Sequence, residues 1–211
     1  MGKHQGHIVY RNTEGKQVPG VTTICGQLAK PFLAPAANKL GLSGINSTDY
    51  WKSLADIGSL AHEMILAHIR GEELNTDDYT KKEIDLANSC FQSYLNWESK
   101  HTIEPMLSER PLVSHTYQFG GTLDCFCKLD GVDTLLDWKT GGIYKEAVIQ
   151  VSAYQQLLLE KGYLARHAII VGIPRSPDES YKEITVTEFE LGWEIFYHLL
   201  KLYQLIKRLK L

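Results

Sequence analysis

Residues 119–138 constrain the fold of this chain more than any other stretch, because they have the pattern of two antiparallel strands. Polar and apolar residues alternate over 119–129, which is typical of a strand. The dipeptide Asp130-Gly131 favours a tight hairpin turn, and residues 134–138 form a second short strand. The alternation predicts one face with Leu123, Cys125, Cys127 and Leu129 and another with Thr122, Asp124, Phe126 and Lys128.

Helical periodicity surrounds this pair of strands. Apolar residues recur at three- and four-residue steps over 49–70, where Gly71 ends the helix, and again after a cap at Thr76-Asp77-Asp78. A third helix over 145–161 ends at Gly162. The last helix has an apolar stripe of Trp193, Phe196, Leu199 or Leu200, Tyr203, Ile206 and Leu209. Residues 168–173 are continuously apolar, which predicts a strand buried on both faces.

Weaker patterns complete the chain. They predict a hairpin over 7–18, a helix over 21–30 capped by Thr22 or Thr23, and strands over 112–116 and 184–189, whereas residues 31–47 give no clear element. The order of elements predicts an α/β fold with a central mixed β-sheet flanked by helices. We expect one domain over 1–211, mainly helical over 1–105 and with the sheet and its flanking helices over 106–211.

Composition and charge exclude several classes of protein. Apolar residues make up 44% of the chain and charged residues 22%, which is typical of a globular protein rather than a disordered or fibrous one. No apolar run is long enough to span a bilayer and no secretory signal is present, so we expect no membrane partner and a cytoplasmic location, the host cytoplasm if the source is viral. The four cysteines are expected to be reduced. The net charge of −3 is weak evidence against a nucleic-acid partner.

Two carboxylates and a lysine meet on the predicted strands. Asp137 and Lys139 are two residues apart and share a face, and Asp124 lies on the neighbouring strand. Phosphodiester hydrolysis uses such a set, because paired carboxylates hold a divalent cation that activates water, and a lysine stabilises the phosphate or acts on that water. The Trp138 carbonyl between them is a further oxygen ligand. An isolated D-x-K is more often a solvated ion pair.

Three further residues favour the catalytic interpretation. Gln150 and Tyr154 share one face of the helix that follows Lys139, where an amide and a phenol can hold a base, a phosphate oxygen or the attacking water. His62 offers an imidazole ligand, and its neighbour Glu63 is the alternative ligand. Taken singly, an exposed glutamine, a half-buried tyrosine and a solvated histidine are the more common outcomes.

Together these residues resemble the PD-(D/E)XK nuclease superfamily, and within it the RecB-like branch. The resemblance has four parts in order, which are G-x-x-x-H ending at His62, G-x-x-D ending at Asp124, D-x-K over 137–139, and Q-x-x-x-Y from Gln150 to Tyr154. Residues 18–24 are also similar to the P-S-V-T-T-I-L segment of small viral and mitochondrial genome-maintenance exonucleases, with Gly20 in place of the serine.

The resemblance implies a restriction-endonuclease-like core with an N-terminal helical wall over the active site. It implies a deoxyribonuclease that depends on Mg²⁺ or Mn²⁺ and acts in DNA replication, recombination or repair. The implied metal ligands are His62, Asp124, Asp137 and the Trp138 carbonyl, with Asp124, Asp137 and Lys139 catalytic and with Gln150 and Tyr154 positioning the substrate.

Two implications of the resemblance concern the edges of the site. Glu109 corresponds to an acidic residue that supports the site, although a solvated glutamate explains this residue equally well. Some RecB-like nucleases hold an iron–sulfur cluster with four cysteines, the last of them after the Q-x-x-x-Y helix. No cysteine follows Cys127 here, so no iron–sulfur cluster is expected.

Basic and aromatic residues indicate where DNA could bind. Lys30, Lys39, Trp51 and Lys52, with Tyr50, are expected to follow a DNA backbone and stack bases. The last helix offers Lys201, Lys207, Arg208 and Lys210 as further DNA contacts, but a solvated face opposite the apolar stripe is the preferred interpretation of these residues.

The leading hypothesis is an exonuclease on single-stranded DNA with a free end, since a wall over the site favours such a strand. The alternatives are a structure-selective or duplex endonuclease, a non-catalytic DNA-binding module, and a nuclease subunit of a helicase complex. The chain has no G-x-x-x-x-G-K-[ST] segment, so a helicase would be a separate partner, as would a single-strand-binding protein.

Overall fold

The computed structural model describes residues 8–209 of the chain. The strands are β1 (Tyr10–Arg11), β2 (Gln17–Val18), β3 (Ile103–Ser114), β4 (Phe119–Leu129), β5 (Val132–Thr140), β6 (His167–Ile173) and β7 (Lys182–Val186). The helices are α1 (Val21–Cys25), α2 (Leu33–Leu42), α3 (Ser47–Arg70), α4 (Lys81–Glu98), α5 (Lys145–Leu159) and α6 (Glu190–Arg208).

A five-stranded mixed sheet forms the centre of the fold. Its strand order is β3-β4-β5-β6-β7, with β5 and β6 parallel and every other neighbouring pair antiparallel. Helix α5 connects the two parallel strands, as a parallel pair requires a crossover. The predicted α/β fold with a mixed sheet and flanking helices is therefore confirmed.

The hairpin between β4 and β5 fixes the register at the middle of the sheet. Asp130 and Gly131 both have positive φ, 50° and 83°, which is the backbone of a tight two-residue hairpin turn. Strand β4 has the predicted bounds, and β5 extends two residues beyond the predicted segment at each end. The short N-terminal hairpin also forms as predicted, although its first predicted residue, His7, lies outside the described residues.

The sheet is buried on both faces by two apolar clusters. One cluster lies against α1, α5 and α6 and contains Leu123, Phe126 and Phe196. The other lies against α3 and α4 and contains Cys125, Cys127 and Trp138. Strand β6 contributes alternate residues to both clusters, which confirms the predicted strand buried on both faces.

The predicted faces of β4 are wrong at one point. Leu123 packs with Phe126 in the first cluster, whereas Cys125, Cys127 and Leu129 pack in the second. The neighbouring strand pairs Arg110 with Leu123 and Ser108 with Cys125, so Glu109 lies opposite Asp124. Glu109 has a φ of 48° instead of an extended value, and this local irregularity accompanies the switch of faces.

The N-terminal helices differ from prediction mainly at their ends. Helix α3 begins after Asn46, whose side chain accepts from the Thr48 N–H at 2.9 Å, and ends at left-handed Gly71 as predicted. Helix α4 begins after a capping box of Thr80 and Glu83 rather than at 76–78. Helix α1 follows Gly20 and not Thr22 or Thr23, and α2 occupies the stretch for which no element was predicted.

Three further boundaries and one apolar face are corrected by the structure. Strand β3 starts at Ile103, so the expected division at 105/106 cuts a strand, and β7 ends at Val186 because Glu190 already begins α6. On α6, Phe196 and Leu200 are buried, but Ile206 and Leu209 are 55% and 71% exposed. Lys210 lies outside the described residues. No helix within residues 8–209 is long and apolar enough to cross a membrane.

Candidate active site

Helix α3 passes close to the end of β5. A Cβ at Gly58 would lie 2.8 Å from the Thr140 side-chain oxygen, so the glycine permits this approach. The guanidinium of Arg175 donates to the Thr140 carbonyl at 3.0 Å and to the Leu54 carbonyl at 3.5 Å. One turn after Gly58, His62 therefore reaches the region beside β4.

His62, Glu109 and Asp124 converge there from three different elements. Their ligand atoms all lie within 4.8 Å of one another, and His62 Nδ1 is 3.7 Å from Asp124 Oδ2. One imidazole nitrogen and two carboxylates form a donor set that suits manganese or magnesium. The three residues fit a divalent cation.

Glu109 reaches this group from a strained backbone. Its φ of 48° lies in the left-handed region, which costs a non-glycine residue on the order of 1–3 kcal/mol and persists where the surroundings impose it. Burial and the nearby Asp124 carboxylate raise the pKa of Glu109 to about 7, although Arg70 opposes the shift. Sequence reasoning gave Glu109 only a supporting place, because an irregularity inside a strand leaves no pattern in the sequence.

Asp137 is fully buried beside Lys139. The Lys139 Nζ lies 2.6 Å from Asp137 Oδ2, and no described residue donates a hydrogen bond to Asp137 Oδ1. Burial, together with Asp124, raises the pKa of Asp137 to about 7 even though the lysine lowers it. Burial alone would lower the pKa of Lys139, but Asp137 and Asp124 outweigh it and leave that pKa raised. The alternative of a solvated surface ion pair therefore does not describe these two residues.

Asp124 joins the two parts of the site. It is 9% exposed, and its Oδ2 accepts a hydrogen bond from the Trp138 N–H at 2.8 Å. This contact brings the backbone between Asp137 and Lys139 to the carboxylate that faces His62. The Trp138 N–H makes the contact, and a role for the Trp138 carbonyl stays a prediction.

Gln150 and Tyr154 lie on α5 under the same site. The Gln150 side-chain N–H donates to the Tyr154 hydroxyl at 2.7 Å, and Tyr154 is almost fully buried. Burial and the charges of Asp137 and Asp124 raise the Tyr154 pKa. A Cβ at Gly121 would lie 2.7 Å from the Tyr154 ring, so the glycine of G-x-x-D makes room for the tyrosine of Q-x-x-x-Y.

An open groove of about 480 Å³ leads to these residues. Its lining includes His62, Asp124, Lys139, Gln150 and Tyr154, together with Tyr10, Tyr203 and Lys207. The last three were not predicted as site residues, and Lys207 was assigned to a solvated face. Tyr10 lies on a two-residue strand, and the Lys207 ammonium lies 5.2 Å from the centre of the Tyr203 ring. These residues are distant from the motifs in sequence, and only folding brings them to the groove.

The other predicted residues lie around this groove or apart from it. Glu63 accepts from the Tyr79 hydroxyl at 3.4 Å and is not in the group with His62. Lys30 forms an ion pair with Glu146 at 3.8 Å. Lys39 and Lys52 are exposed and Trp51 is partly exposed, and within the described chain none of the four predicted DNA-binding residues lines the groove.

Comparisons with known proteins leave the function open. No family model matches the chain, and no curated protein matches it. A solved structure described as the crystal structure of SSO0001 is similar with a TM-score of 0.44 and 14% identity, over 95% of this chain and 81% of that one. A similarity this weak says nothing about activity, so the chemistry of the groove is what indicates the function.

Proposed function

We propose that this chain is a metal-dependent deoxyribonuclease that hydrolyses DNA phosphodiester bonds, and that it belongs to the RecB-like branch of the PD-(D/E)XK superfamily. The observation that carries the proposal is the convergence of His62, Glu109 and Asp124 within 4.8 Å, beside the buried pair of Asp137 and Lys139. His62, Asp124 and Lys139 line one groove.

The donor atoms favour Mg²⁺ or Mn²⁺ as the cofactor. Two carboxylates and an imidazole are ligands that manganese accepts readily and magnesium accepts with water completing its shell. The unpartnered Asp137 Oδ1 is a buried acceptor, which is costly unless a cation or a donor satisfies it. We therefore place Asp137 and the Trp138 carbonyl next to the ion, as the sequence predicts, and Glu109 among its ligands.

The reaction is attack of a water oxygen on phosphorus, loss of one ester oxygen and transfer of a proton to that leaving group. A divalent cation supplies Lewis acidity to the phosphate and lowers the pKa of water. Lys139, held as an ammonium ion by Asp137, stabilises the charge that builds on the phosphate and orients the water. Gln150 and Tyr154 hold a base or a phosphate oxygen at the groove.

The substrate we propose is single-stranded DNA with a free end. An open groove with tyrosines and a lysine along its wall suits one flexible strand, because aromatic rings stack unpaired bases and lysine contacts phosphate. All four cysteines lie buried as free thiols, in keeping with a reaction in the cytoplasm. A helicase or a single-strand-binding protein would act as a separate partner.

Linear and circular single strands test both the chemistry and the need for an end. End-labelled linear DNA and a circular strand are incubated with Mg²⁺ or Mn²⁺, with EDTA as the metal-free control. Degradation of the linear strand and survival of the circle support the exonuclease. Cutting of the circle replaces the exonuclease with an endonuclease on the same site. Binding without cutting under either metal favours a non-catalytic DNA-binding module.

A further inference from the structure

Two exposed aromatic rings stack against each other at the start of α5, the helix that carries Gln150 and Tyr154. Phe32 is 47% exposed and Tyr144 is 57% exposed, although large aromatic side chains are usually far more buried. Their ring centroids are 5.6 Å apart and the planes differ by 13°. One face of each ring lies against the other ring, so each ring has one outer face left for contact. The two residues are here called the Phe32–Tyr144 pair.

The fold holds this pair in place from both sides. Phe32 stands at the N-terminal cap of α2 and Tyr144 at that of α5, so each ring is carried by the start of a helix. The ion pair between Lys30 and Glu146 flanks the rings, two residues before one and two residues after the other. A Cβ at Gly142 would lie 3.1 Å from the Tyr144 ring, so the backbone also runs close to that ring.

A short stretch of chain links the pair to Lys139 of the site. Tyr144 follows Lys139 by five residues, and α5 continues from Tyr144 to Gln150 and Tyr154. The charges of Glu146, Lys139 and Lys30 all act on the buried Cys25 thiol, whose pKa burial raises to about 12. Lys139 and the flanking ion pair are therefore within electrostatic range of the same buried thiol.

The aromatic residues predicted from the sequence do not offer such a surface. Tyr50 and Trp51 meet edge to face, with centroids 5.2 Å apart and planes 71° apart. Neither these two residues nor Phe32 and Tyr144 line the groove itself. Phe32 and Tyr144, in contrast, are nearly parallel, and Tyr144 follows the last residue of β5, Thr140, by four residues.

We propose that the Phe32–Tyr144 pair is a stacking site for an unpaired nucleobase of the strand being cut. The inference rests on the proposed nuclease function and extends it to substrate selection. A base can stack on an exposed ring only when it is not already stacked within a duplex, so the site selects single-stranded nucleic acid. Every base has a flat face, and the site is therefore tolerant of sequence.

Binding to strands with and without bases tests the proposal. The ligands are a fluorescent thymidine oligonucleotide and an abasic one of equal length, measured by anisotropy in EDTA so that no metal-dependent cleavage occurs. The wild type should bind the thymidine strand about tenfold more tightly, as expected for loss of base stacking. In Phe32→Leu/Tyr144→Leu this preference should disappear, while affinity for the abasic strand is kept. The control Tyr181→Leu removes a partly exposed tyrosine that contacts Lys100 and should keep the preference.

Two outcomes separate this inference from the nuclease proposal. If the double variant keeps the wild-type preference for the thymidine strand, the stacking site is wrong, whether or not the protein cuts DNA. If the wild type binds neither strand and cuts none, the nuclease proposal and the stacking site fall together. Quenching of a 2-aminopurine base in the strand by the wild type, and its absence in the double variant, provides a second readout that does not depend on affinity.

Discussion

The Asp124 carboxylate accepts a hydrogen bond from the Trp138 N–H at 2.8 Å, and this contact fixes the carboxylate that faces His62. The bond joins two neighbouring strands at the point where regular pairing between β4 and β5 has ended, since the last pair is Cys125 with Leu136. Beyond that pair, the Asp124 side chain replaces a backbone carbonyl as the acceptor for the Trp138 N–H. The oxygen that accepts from Trp138 also lies 3.7 Å from His62 Nδ1.

Asp124 both accepts the Trp138 hydrogen bond and belongs to the candidate metal group, so two substitutions at this position should give different results. Asp124→Asn keeps an acceptor for the Trp138 N–H but loses the charge, so it should fold normally and bind Mn²⁺ at least about 10- to 100-fold more weakly, the loss typical of even indirect changes at metal sites. Asp124→Ala should also lose about 1–3 kcal/mol of unfolding free energy, because a buried N–H is left without a partner. Calorimetric Mn²⁺ titration and urea unfolding measure the two effects. Equal Mn²⁺ affinity in Asp124→Asn and wild type would remove Asp124 from the metal group.

Gly121→Ala should damage the site through packing. The added Cβ would meet the Tyr154 ring at 2.7 Å and Val21 at 2.9 Å, and overpacking of this kind costs about 1–3 kcal/mol. Gly41→Ala is the matched control, since a Cβ there meets nothing within 4 Å and alanine in a helix gains roughly 0.5–1 kcal/mol. Urea unfolding compares the two variants. A Gly121→Ala protein as stable as wild type would mean that Tyr154 moves freely.

The acidic groups predict how stability depends on pH in the metal-free protein. Glu109 and Asp137 have folded-state pKa values raised to about 7 from ordinary values of 4.5 and 3.8. The folded state then holds protons that the unfolded chain has released, so the free energy of unfolding should fall as pH rises from about 4 to 7 and level off above 7. Glu109→Gln removes its share and should flatten the slope. The measurement is urea unfolding in EDTA across this range, and an unchanged slope in Glu109→Gln would contradict the raised pKa.

Arg175 was not predicted from the sequence, and its removal should loosen helix α3. Arg175→Met takes away donors from the Thr140 and Leu54 carbonyls, which should cost about 1–3 kcal/mol of unfolding free energy and lower kcat for DNA cleavage through the displaced His62. Arg166→Met, at an exposed arginine, should stay within about 0.5 kcal/mol of wild type. An Arg175→Met protein with wild-type stability and kcat would show that Arg175 does not position α3.

The sequence predicted the elements whose patterns are local. The bounds of β4 follow from regular alternation and from the Asp130-Gly131 turn, and the apolar run over 168–173 is strand β6. Helix α2 was missed because Pro35 and Gly41, residue types that favour turns, fall within its ten residues. The C-terminal part of the apolar stripe on α6 was misjudged because residues such as Leu202 and Leu205 form a second apolar face, and periodicity does not tell which face meets the core.

The sequence predicted most residues of the candidate site, but not which of them lie together. His62 and Asp124 lie in one group, whereas Asp137, predicted as a ligand beside them, lies with Lys139 outside that group. Glu109 joins His62 and Asp124 instead of Asp137. Its left-handed backbone conformation could not be predicted from residue spacing. Lys207 reaches the groove from the far end of the chain, which only the packing of α6 determines.

The most direct test of the nuclease proposal is cleavage of linear single-stranded DNA in Mn²⁺ by wild type, Lys139→Ala and Lys128→Ala. Lys128 forms an exposed ion pair with Asp133 at 3.0 Å and serves as the matched control. The proposal predicts that wild type and Lys128→Ala release nucleotides at similar rates, while Lys139→Ala is slower by about 100-fold or more, as for loss of a charge-stabilising group. Equal rates in all three proteins, or no cleavage by the wild type in either Mn²⁺ or Mg²⁺, would contradict it.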